Sequence, residues 1–77
     1  MTKIKEAKEA FKKQYGHLHS RFIPGGINGI GAGGTKDKLG IAVMIESSEE
    51  VYKIIPNEFM GFPVYKYIVG KIVAQRG

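Results

Sequence analysis

Apolar residues recur near the N-terminus at spacings of three and four: Ile4, Ala7, Phe11, Tyr15 and Leu18. That period lays them on one stripe of a helix, so residues 3–19 are read as amphipathic. Thr2 stands where a cap would start it. Lys3, Lys5, Lys8, Lys12 and Lys13 lie mostly off the stripe. Glu9 precedes Lys13 by four positions, the favourable order for a helical ion pair. Gly16 is a poor residue for a helix interior, so the helix is expected to end there and pass into a looser turn.

The period changes after the turn-forming Ile23-Pro24-Gly25-Gly26. Residues 27–34 read as a glycine-rich strand. Ile41, Val43 and Ile45 alternate as a second strand, and Thr35-Lys36-Asp37-Lys38 supplies a hairpin loop between them. Ser47 and Glu50 have the spacing of a capping box, and Val51, Ile54 and Ile55 form the apolar face of a short helix that Pro56 and Asn57 stop. Phe59 to Pro63 is a turn with apolar flanks. Residues 64–69 are a strand, continued by 71–74 past a bend or bulge at Gly70. The order α-β-β-α-β predicts an α+β fold, with two helices packed on a three-stranded, mostly antiparallel sheet. One domain spans 1–77: a basic amphipathic helix over 1–22 and a glycine-rich ββαβ unit over 23–77. The helix is the likelier appendage in this scheme because the rest carries its own alternation. The expected core includes Ile4, Phe11, Ile30, Val43, Ile45, Val51, Ile54, Ile55, Val64 and Ile68.

Gly29-Ile30-Gly31-Ala32-Gly33-Gly34 matches G-x-G-x-x-G. A dinucleotide site needs a helix to open at that motif, so that its N-terminus meets the pyrophosphate. Here a polar loop and another strand follow instead. Gly29, Gly31 and Gly33 share one strand face, which suits close backbone approach. Two alternatives remain: a bare face open to a partner strand, and a phosphate ligand at Gly29–Gly34.

Three segments in order, 27–34, 39–46 and 55–64, resemble the small N-terminal α+β segment found ahead of some bacterial trypsin-like peptidase-type proteins. That pattern has a V-x-G-V-G-x-G strand, an L-x-V-x-V strand and an I-P-x-x-I-D-G-V-P-V turn before a last strand. The resemblance covers about residues 27–74. Met60 replaces the acidic residue before the glycine, and Phe62 replaces a small aliphatic. The resemblance implies a small α+β module with no catalytic residues of its own, the protease portion being absent from this chain.

Composition narrows the function classes. Among 77 residues, Cys is 0, which removes disulfides, thiolate metal sites and cysteine nucleophiles. A chain of this size commits most of its apolar residues to one core and keeps few for a deep pocket. Ser20, Ser47 and Ser48 have no triad-like companions, and Glu49 and Glu50 diverge on a helix. The expectation is therefore a non-enzymatic protein without cofactor or metal. No run approaches the roughly 18 apolar residues of a membrane helix, and no secretory signal opens the chain, so a cytoplasmic location is expected. His17 and His19 form an H-x-H pair, read as a solvated pair near a helix end, because a closed zinc site needs more ligands.

The net charge is +5, and residues 1–22 hold six basic residues against two glutamates, a net of +4. Two readings follow. One is a protein-interaction module, self-associating or pairing with an unidentified protein through a sheet edge. The other is a nucleic-acid surface that combines Lys5, Lys8, Lys12, Lys13 and Arg21 with Tyr65, Lys66 and Tyr67.

Overall fold

The structure, a computed structural model, describes residues 3–70. Helix α1 (Ile4–Tyr15) forms on the predicted stripe, with Glu6 in its first turn and Lys12 and Lys13 in its last, all matched to the helix dipole. Lys3 is the N-cap and makes no side-chain cap bond; the cap expected at Thr2 falls outside the described residues. At Gly16 the chain tightens into a 3-10 turn (Gly16–Leu18) that drops Leu18 into the core.

Strands β1 (Ile27–Gly34) and β2 (Leu39–Ile45) form the expected hairpin, closed by Lys38 N–H donating to both O and Oγ1 of Thr35. Ile27 and Ile30 are three apart, and a regular strand would put them on opposite faces. A register shift between Ile27 and Gly29 makes Asn28 a bulge. Ile27 then stands opposite Ile45 and Ile30 opposite Val43, both on the face that Ile41, Val43 and Ile45 present to the core.

Among the described residues the sheet has four strands rather than three and is mixed rather than mostly antiparallel. Its order is β1-β2-β4-β3, where β3 is Glu58–Phe59 and β4 is Phe62–Ile68. β2 and β4 run parallel, with Ile41 opposite Val64 and Ile45 opposite Ile68. A parallel neighbour requires a crossover of about a dozen residues or more. Residues 46–61 provide it, carrying helix α2 (Glu49–Ile54) over the sheet. In the 59–63 turn Phe59 pairs with Phe62, and Glu58 just before it pairs with Pro63. The proposed continuation over 71–74 lies outside the described residues.

Ser48, not Ser47, caps α2: its Oγ accepts from Val51 N–H at 3.1 Å. α1 and α2 pack on the same face of the sheet, in one cluster with Phe11, Ile41, Val43, Ile45, Val51 and Ile55. α1 is thus no appendage, since Ala7 and Phe11 are fully enclosed. Phe11 also meets Phe59 edge-on, at 5.2 Å between ring centres. Ile54 and Ile68, expected inside, are 58% and 48% exposed. α2 ends at Ile54, and the extended backbone of Ile55 turns that side chain inward in its place. Ile4 and Ile30 are only partly buried at the rim of the core, which also takes Ala7, Leu18, Ile27 and Ile41.

Candidate functional site

The register sets three rows on the sheet face opposite the helices. Gly29, Met44 and Tyr67 form one, Gly31, Ala42 and Tyr65 the next, and Gly33 and Gly40 the third. No helix among the described residues packs over these rows. The glycines make room for a side chain, not for a helix. A Cβ on Gly40 would fall on Pro63 O and 2.8 Å from Tyr65 Cε2, and one on Gly33 would lie 2.8 Å from Ala42 Cβ and 3.8 Å from Tyr65 Cδ2. The Tyr65 ring leans across this bare backbone, and its hydroxyl donates to Lys38 O at 2.7 Å. At Gly29 the nearest neighbour is the Met44 methyl, 3.1 Å from an added Cβ, and at Gly31 the space is open. The close approach expected at all three odd-numbered glycines is therefore tight at Gly33, a side-chain contact at Gly29 and absent at Gly31.

The basic residues separate. Lys66 projects to the helix side, where Nζ donates to Ile55 O at 2.9 Å and Tyr52 O at 3.1 Å and sits 4.4 Å from the centre of the Tyr52 ring. It closes the C-terminal end of α2. Tyr67 is half exposed on the opposite face. The tyrosine strand and the basic helix, combined in the nucleic-acid reading, thus lie on opposite sides of the sheet. Arg21 is exposed, its guanidinium 6.0 Å from the Phe22 ring centre. Its backbone N–H donates to His19 Nδ1 at 3.0 Å, which occupies one nitrogen of the H-x-H pair. Among the described residues, no three His, Cys, Asp or Glu side chains gather as metal ligands, and no helix is long and apolar enough to cross a membrane.

On α1, Lys5, Lys8 and Lys12 follow one another at spacings of three and four, a single flank of the helix. Lys13 lies off that flank on the solvent side, where it lines a depression with Glu6, Glu9 and Lys5, the lysine at the flank's far end. The lysine flank leads to β1. Lys12 shares an open depression of about 350 Å³ with His19, Asn28, Gly29 and Ile30. Asn28 is the bulge residue, and its Nδ2 is shut from solvent without a hydrogen-bond partner.

β1 is an edge strand. His19 bridges it only at Ile27, where Ser20 N–H donates to Ile27 O at 2.8 Å. From residue 28 to residue 34 its outer side pairs with no strand among the described residues. This segment holds no charged residue and no proline, the usual guards of an exposed edge. Sequence reasoning did not find the edge, because strand order is not a local property. It did not find the bulge either, although the three-residue spacing of Ile27 and Ile30 was a usable signal.

Fold and site together define a small α+β domain with an open sheet edge along β1 and one sheet face over which no helix of the described residues packs. The chain matches no protein-family model, no curated protein and no solved structure.

Proposed function

We propose that this protein is a non-enzymatic interaction module that works by strand addition at the outer edge of β1, taking a strand from a second copy or from another protein. The observation that carries this reading is the rim position of an eight-residue strand free of proline and charge. An unpaired edge offers a row of N–H and C=O groups, and an added strand satisfies them with main-chain hydrogen bonds. The bulge at Asn28 marks one end of the usable edge and the loop after Gly34 the other. The resemblance to a non-catalytic segment ahead of peptidase-type proteins agrees with such a role. The nucleic-acid alternative rests on the lysines of α1 alone, and it requires affinity for RNA or DNA at low salt that falls steeply as salt rises.

The test is the amide spectrum of the full chain, recorded across micromolar to millimolar protein and with added strand-forming peptides. Light scattering follows the mass in parallel. Shifts or slowed exchange confined to residues 28–34 support the proposal. A strict monomer whose 28–34 amides respond to no peptide overturns it.

A further inference from the structure

We infer that the strand received by β1 is acidic: an extended segment with carboxylates on alternate positions, supplied by a different protein and not by a second copy. This inference rests on the strand-addition reading above and names the partner's chemistry. The first support is placement. The Lys5-Lys8-Lys12 flank of α1 runs down to the depression at the start of the free edge, where Lys12 stands beside Asn28, Gly29 and Ile30. A strand hydrogen-bonded to β1 would turn every second side chain toward the helix-bearing side of the sheet. There those at the start of the edge meet the Lys12 ammonium group, and the depression has no carboxylate in its lining.

The second support is what the same flank does to self-pairing. Two copies joined antiparallel, β1 to β1, in one continuous sheet would carry both α1 helices on the same side. Their lysine flanks would then face each other across the new pair, and like charges so placed repel. The lysines therefore guard the edge against antiparallel pairing with a second copy while drawing an acidic strand to it. A net charge of +5 adds long-range attraction in the same sense. On the other side of the sheet, open space over Gly31 leaves the added strand unobstructed.

The experiment compares three blocked eight-residue peptides that alternate valine with glutamate, glutamine or lysine, read by amide shifts and by anisotropy of a labelled peptide. The glutamate peptide is expected to bind best, with shifts along 28–34 and at Lys12. Lys8→Glu combined with Lys12→Glu should weaken it by about tenfold and favour the lysine peptide instead. Lys12→Gln serves as a milder variant, and an unchanged fold is verified from the spectrum of each. Equal binding of all three peptides overturns the acidic preference and leaves edge pairing standing. Shifts confined to α1 overturn the inference as mere charge attraction, and an oligonucleotide that produces the same α1 shifts identifies that attraction as one for polyanions. Self-association through β1 that outcompetes the glutamate peptide overturns it also. If no peptide and no second copy moves 28–34, this inference and the strand-addition reading both fail.

Discussion

The Lys66 ammonium, bonded to two carbonyls at the end of α2 and held over the Tyr52 ring, is a local tie between sheet and helix. Replacing it with Met keeps the stem and removes both bonds. The expected loss is about 1–3 kcal/mol, measured by urea denaturation, with faster amide exchange in α2 than elsewhere. A purely surface lysine would change stability by less than about 0.5 kcal/mol. The glycines give a sharper contrast. Gly40→Ala drives a methyl into Pro63 O and the Tyr65 ring and should cost more than about 2 kcal/mol. Gly31→Ala meets open space and should be neutral or stabilising by about 0.5 kcal/mol, through the unfolded chain's lost freedom. The sequence spelled both residues alike. What distinguishes them is the neighbouring strand, which no local pattern names.

Among the elements, the β3–β4 turn carries strain that its sequence can relieve. Met60 and Gly61 both have positive φ, 52° and 85°, as a two-residue type I′ hairpin turn requires. Gly tolerates this and Met does not, and the Met60 side chain is half exposed, with no burial to offset the strain. Met60→Asn should therefore stabilise by about 0.5–1 kcal/mol, seen as a raised urea midpoint at an unchanged slope. At α2 the prediction separates two adjacent serines. Ser48→Ala should cost about 1 kcal/mol and Ser47→Ala clearly less in the same assay, because only Ser48 Oγ accepts from Val51 N–H. The capping signal was legible in the sequence, but off by one residue. Its offset depends on where the chain leaves β2: Ser47 and Ser48 N–H both donate to Gly25 O, and this fixes the entry to the helix.

For the whole molecule, α1 shares with α2 the covering of the sheet's apolar face. Ile41, Val43 and Ile45 are fully enclosed, and Phe11 is among the side chains enclosing them. Phe11→Ala should cost about 3–5 kcal/mol. A chain of 77 residues has a total stability of only about 4–12 kcal/mol, so the variant should sit near its unfolding threshold. Residues 23–77 alone should give a collapsed amide spectrum. A well-dispersed one would return α1 to the status of an appendage.

Local chemistry on the chain was enough to specify the helical stripe of α1, the limits of β1, the loop at 35–38 and the inward face of β2. Each depends on a repeat of two or of three to four, or on turn residues a few positions apart. Tertiary structure alone decided that β4 runs parallel beside β2, that β1 is left at the rim, that the bulge at Asn28 turns Ile27 inward, and that Ile55 rather than Ile54 reaches the core. Alternation says which face of a strand is buried but is the same for a parallel or an antiparallel neighbour. The neighbour is chosen by how the crossover over 46–61 and α1 together close the one apolar face, and that choice belongs to the whole chain at once.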